Sequence, residues 1–308
     1  MPRTAPTTLL GTVSSLGATS GVANVIQQLA LPPVGEGVSE SRVVSGSPRR
    51  YPMKRARTTG QYLALAVAGN DEDRAVMRAA IAEVHRHVRS GEHSPVAYNA
   101  NAADLQLWVA ACLFRFFVDQ HVLLYGDLDR PALDTLVEQA RPLATGVNVR
   151  AERWPADWAA FEDYWASMLP RLAISPEVRR DFESLADLGF LGEAWGLPGR
   201  ILSRVLGPAY HFMTRGNLPP YFRELMGWQW TAADQRRFDR ALTALRWADR
   251  LGNRVVLRTV YRLYVADFRL RRRLGLEVLG RLRVSDLMVR DGGGRRRIAR
   301  VRQVDRSR

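Results

Sequence analysis

The chain has 308 residues but only one cysteine and one lysine, Cys112 and Lys54. A lone cysteine excludes an intramolecular disulfide and any cysteine-based zinc site. Cys112 lies in the apolar run WVAACLFRFF, which predicts a buried core thiol. Phosphate-cradling motifs are absent: there is neither a GxxxxGK[ST] loop nor a GxGxxG turn after a strand, and HEXXH is missing too. No run of alternating apolar and polar residues reads convincingly as a strand. There is no secretory pattern at the N-terminus, and the most apolar long stretch, 105–125, carries Arg115, Asp119 and His121. The expectation is a cytoplasmic protein without a transmembrane segment.

The formal charge of +14 suggests nucleic acid until it is located. Residues 269–308 hold 14 arginines against Glu277, Asp286, Asp291 and Asp305, so most of the excess sits there. Arginine in place of lysine throughout fits GC-rich coding as well as phosphate contact. A solvated basic tail is the expectation, with docking on nucleic acid or another acidic partner as the competing reading.

What is present is helical periodicity. A Thr-, Ser- and Gly-rich lead-in over 1–20 reads as flexible or partly helical. A short apolar helix at 22–31 follows, stopped by Pro32 and Pro33. After a second short helical piece and the loop SGSPRRYP, a helix is expected over 54–68. The next opens at Asp71 or Asp73 and carries Met77, Ile81, Val84 and Val88 as its stripe. A helix from about 103 is apolar nearly all round, which predicts burial in a large helical protein. Trp158, Phe161, Tyr164, Trp165 and Met168 recur at helical spacing and read as core packing. Further helices are expected at about 176–188, 199–213, 219–226, 231–249 and 253–270. After Gly275 the pattern decays, and DGGGRRR reads as part of a flexible Arg-rich tail over 276–308. The fold class is therefore all-α, one helical domain over about 21–275.

The five histidines are His85, His87, His93, His121 and His211. His85 and His87, two apart, face different sides of a helix and cannot easily share one metal. His85 lies on the flank of the apolar stripe, where a hydrogen-bonded core histidine and a ligand are both open readings.

Several stretches, taken in order, resemble the family of the fungal mycophenolic-acid-pathway oxygenase MpaB and the bacterial rubber oxygenase (latex-clearing protein). They are VANVIQQLALPPVGEGVSES, Arg55 with Thr59, VHRHVRSG, YNANAADLQLWVAACL, the helix from Pro155 to Leu169, and LPPYFRELMGWQW. Together they cover about 21–270. The resemblance implies an all-helical enzyme holding haem b and using dioxygen on an apolar, isoprenoid- or polyketide-like small molecule. It makes His85 the proximal ligand to the iron and sets Arg55 and Trp108 around the cofactor. Arg55 and Thr59, one turn apart, become the polar catalytic handles. The chain departs from the family where Leu31 and Ala110 replace histidines and Thr58 replaces the rubber oxygenase's distal lysine. These departures keep open a member repurposed for natural-product tailoring or cyclisation. A third reading is a non-enzymatic helical binding protein that docks through the basic tail.

Overall fold

The structure is a computed structural model that describes residues 6–47, 50–290 and 296–304. In chain order the helices are α1 (Leu9–Thr12), α2 (Gly17–Leu29), α3 (Pro32–Ser39), α4 (Pro52–Ala68), α5 (Asp71–His85) and α6 (Ala103–Tyr125). They continue as α7 (Arg130–Ala140), α8 (Pro142–Thr145), α9 (Trp158–Met168), α10 (Pro176–Ala186) and α11 (Phe190–Trp195). The last are α12 (Leu197–Asn217), α13 (Pro220–Met226), α14 (Ala232–Ala248) and α15 (Arg254–Arg273). Two strands, β1 (Arg283–Arg290) and β2 (Arg296–Gln303), form an antiparallel pair after the helices.

The all-helical class holds for the body of the molecule, and α6 is its axis. Trp108, Ala111, Cys112, Phe114 and Phe117 have essentially no exposed surface. This helix is long and apolar enough to cross a membrane by composition, but most of it is buried inside the protein. Around it α9 supplies the aromatic wall read from the sequence. Phe161 meets Phe114 edge-on at 4.9 Å between ring centroids and stacks on Trp158 at 5.3 Å. Such pairs add about 0.5–1.5 kcal/mol each beyond the area they bury. Arg115 tucks its guanidinium over the Trp158 and Trp165 rings and pairs with Asp119 at 3.1 Å.

The cap of α5 is Asn70 in place of the expected Asp71 or Asp73. Asn70 caps α5 by accepting from the Asp73 amide, and Asp71, Glu72 and Asp73 fill its positive first turn. A π-turn at Asp249–Asn253 links α14 to α15, and Gly252 takes a φ of 102° there that other residues resist.

Both ends of the chain are partly attached to the body. The lead-in of 1–20, described here from residue 6, is built into the core rather than flexible. Leu9, Val13 and Leu16 are buried. Asp249 accepts from the Ser15 amide at 2.8 Å and hydroxyl at 2.5 Å, and from the Tyr125 hydroxyl. Three apolar residues diluted by Thr and Ser, with these hydrogen bonds, carry the attachment.

The segment after 275 is likewise tied down in part. Val278, Leu282 and Val284 are buried, and the Ser285 amide donates to the Arg42 carbonyl at 2.8 Å. The β1–β2 pair is a structure the sequence reading did not contain, because strands this rich in arginine show little apolar alternation. Residues 291–295 of the DGGGRRR stretch lie outside the described residues. Val43, Leu282 and Val284 pack against Val84 and Val88, the two valines that flank His85.

Candidate active site

His85 is the last residue of α5, and the chain turns back immediately after it. The Val88 amide donates to the His85 carbonyl at 3.0 Å. The Ser90 amide then donates to the Tyr98 carbonyl at 2.9 Å and the Ala100 amide to the Val88 carbonyl at 3.0 Å. These bonds explain why His-x-x-Val and Tyr-x-Ala occur as a pair. The second segment lies antiparallel to the first and brings the Ala100 carbonyl to the imidazole.

Gln106, in the first turn of α6, completes the support. Its side-chain amide donates to the Ala100 carbonyl at 2.7 Å and lies 3.3 Å from His85 Nδ1. Its oxygen accepts from the Asn148 amide at 2.5 Å, which fixes which way the amide points. The Nδ1 edge of the ring therefore faces Gln106, and Nε2 has no side-chain partner among the described residues. Sequence reasoning missed Gln106 and Asn148. The available signal was a single amide in the first turn of an otherwise apolar buried helix.

Burial lowers the His85 pKa to about 4; the charge of Arg55 adds to the fall and hydrogen bonding to the Ala100 carbonyl opposes it. The imidazole is neutral at ordinary pH, as a metal ligand must be. Because the folded value lies below the unfolded one, this residue disfavours the folded state in acid. Its contribution is intact above about pH 6.5 and is lost as pH falls from there towards about 4. Urea midpoints measured from pH 7 to pH 4 should fall less in His85→Gln than in the wild type.

Arg55 and Thr59 sit one turn apart on α4 as expected. Arg55 keeps exposed surface, yet its surroundings desolvate it enough to hold its pKa below the usual arginine value. Among the described residues its guanidinium has no hydrogen bond or ion pair, and its charge is felt at His85. Thr59 is half-buried, while Thr58 spends its hydroxyl on the Arg55 carbonyl at 3.1 Å. One turn further on, the Tyr62 hydroxyl donates to the Leu143 carbonyl at 2.6 Å.

Trp108 does not join this group and is corrected from cofactor contact to core residue. It is fully buried, its indole N–H donates to the Gln28 carbonyl at 3.0 Å, and its ring packs 4.9 Å from Trp165. No accessible face remains for a ligand. Leu31 and Ala110 are also buried among apolar neighbours. Of the other histidines, His87 lies 4.0 Å from Glu83, His211 lies 3.3 Å from Glu183, and His121 packs against Tyr125. Among the described residues no three His, Cys, Asp or Glu side chains converge as a protein-only metal site requires. A metal at His85 would need its other ligands from a bound group.

The family described as ER-bound oxygenase mpaB/B'/Rubber oxygenase, catalytic domain, matches residues 10–247. The chain belongs to this oxygenase family. Arg55, Thr59, His85 and Gln106 all fall within the matched oxygenase domain, whereas α15 and the β-hairpin lie beyond it. That addition braces the site from outside: Arg269 pairs with Asp73 of α5 at 2.8 Å and Arg272 with Glu72. Two relatives are Uncharacterized protein Mb2261 of Mycobacterium bovis and Uncharacterized protein Rv2237 of Mycobacterium tuberculosis. Each is 47% identical over 257 residues, covering 83% of this chain and 98% of the relative. No solved structure matches the chain.

Proposed function

We propose that this member of the oxygenase family is a haem-b-dependent enzyme that uses dioxygen on an apolar small molecule of isoprenoid or polyketide type. The observation that carries the reading is one arrangement. A neutral His85 hydrogen-bonds the Ala100 carbonyl with the Gln106 amide beside Nδ1, and among the described residues Nε2 has no side-chain partner and the desolvated Arg55 has no anion. A histidine ligand to haem needs one ring nitrogen anchored and the other free. An unpaired, desolvated arginine suits the carboxylate of a haem propionate.

Haem b, when bound, supplies dioxygen binding and activation at its iron. This chain's residues do the rest. His85 would hold the iron, and Gln106 and Ala100 would keep the ring from rotating. Arg55 would neutralise a propionate or polarise dioxygen, and Thr59, on the same helix one turn on, would offer a hydroxyl hydrogen bond. Position 58 is threonine, so no lysine would cap the iron. Leu31 and Ala110, where the family has histidines, are buried among apolar side chains, and this departure favours as a second reading a tailoring or cyclisation reaction on the same fold.

The positioning role of Gln106 has its own test. Gln106→Leu is expected to weaken haem affinity by about tenfold or more and to shift the reduction potential, while the fold persists. A potential and affinity equal to the wild type's would remove Gln106 from the site. The activity is tested by dioxygen uptake of haem-loaded protein against a panel of apolar alkenes and polyketides. Substrate-dependent uptake above that of free haem is expected, and its absence across the panel would contradict the oxygenase reading.

A further inference from the structure

The first half of α12 is built in an unusual way for a helix of a closed body. One face consists of Gly199, Ser203 and Gly207, and it is pressed onto the segment 187–192. A Cβ at Gly199 would collide with the Leu191 carbonyl and one at Gly207 with the Asp187 carbonyl. The Ser203 hydroxyl donates to the Asp187 carbonyl at 2.9 Å. With the small residues facing inwards, helical periodicity turns Leu197, Ile201 and Val205 directly outwards. They are 66%, 57% and 69% exposed, and with Leu202 and Leu206 they line a wholly apolar groove of about 430 Å³.

Charge says what this face meets. Arg200 and Arg204, both exposed, flank the apolar ridge on one side. The 21 residues of α12 contain no aspartate or glutamate, and the adjoining α11 contributes only Glu193. Half-exposed Trp195 stands at the start of the ridge. An aliphatic face with an aromatic at its edge and arginines along its flank, on a helix without acids, is complementary to an anionic bilayer surface. There the side chains enter the acyl boundary and the guanidiniums meet headgroup phosphates. We propose that the α11–α12 hairpin docks this protein on an anionic lipid surface, lying in the interface without crossing it. The inference stands independently of the haem reading.

The test uses the full-length protein and sedimentation with vesicles of phosphatidylcholine alone or with phosphatidylglycerol. Ile201→Glu/Val205→Glu is the test variant. Leu251→Glu/Val256→Glu, at the exposed corner of α14 and α15, is the comparison. Circular dichroism checks that each variant folds. The wild type and the corner variant are expected to bind the anionic vesicles. The α12 variant should bind them on the order of tenfold more weakly, and Arg200→Gln/Arg204→Gln should lose the preference for phosphatidylglycerol. Binding that survives in the α12 variant, and so runs through the C-terminal arginines, would overturn the proposal. So would loss in the corner variant alone. A wild type that ignores vesicles but forms a dimer abolished by Ile201→Glu/Val205→Glu would show that the face belongs to a second copy, which also overturns it.

Discussion

Purified His85→Ala protein is expected to fold and yet to show no Soret band of an axially ligated haem after reconstitution. His85 closes α5 and is half-buried, so its removal leaves the core around α6 untouched. What it deletes is the imidazole whose Nε2 has no side-chain partner among the described residues, the nitrogen proposed to bind iron. Dioxygen uptake should fall to the level of free haem. Added imidazole should restore part of the band, because the alanine variant leaves a ring-shaped space backed by Gln106 and the Ala100 carbonyl. That rescue separates ligation from a general effect on the fold. A variant with an unchanged spectrum would place the iron elsewhere.

Trp108→Ala is expected to act in the opposite way, on stability rather than on the cofactor. Trp108 is fully buried against Trp165, Leu31, Cys112 and Phe222 in one apolar cluster. Emptying such a site costs about 3–5 kcal/mol, and the Gln28 carbonyl also loses its indole donor. Trp108→Phe keeps most of the volume and should cost about 1–3 kcal/mol, mainly through that unpaired carbonyl. Urea midpoints give both losses, and haem stoichiometry of the remaining folded protein should match the wild type's. A Trp108→Ala protein with normal stability but reduced haem content would restore the indole to the cofactor site.

The helices were legible because their signals are local. Asp157 caps, Gly126 stops a helix, and the aromatics of α9 recur at a spacing that only a helix places on one side. The candidate histidine was legible only through resemblance, since spacing alone left five histidines nearly equivalent. Its support was less visible. Gln106, Ala100 and Asn148 come from three separate segments, and their joint contact with one imidazole depends on tertiary packing. Trp108 was misassigned because a tryptophan beside a matching motif reads the same whether it faces a pocket or the core. The attachment of the chain ends was invisible for a related reason. Leu9, Val13 and Leu16, or Leu282 and Val284, are too few to give a period, yet each set is buried by long-range partners.

The most direct test of the account is a haem titration of the wild-type protein followed by its absorption spectrum. The account predicts saturable uptake of one haem per chain, with a Soret band and a ferrous spectrum typical of a single histidine ligand. Protein that stays colourless through the titration, or takes up haem without saturation and equally well in His85→Ala, would contradict it.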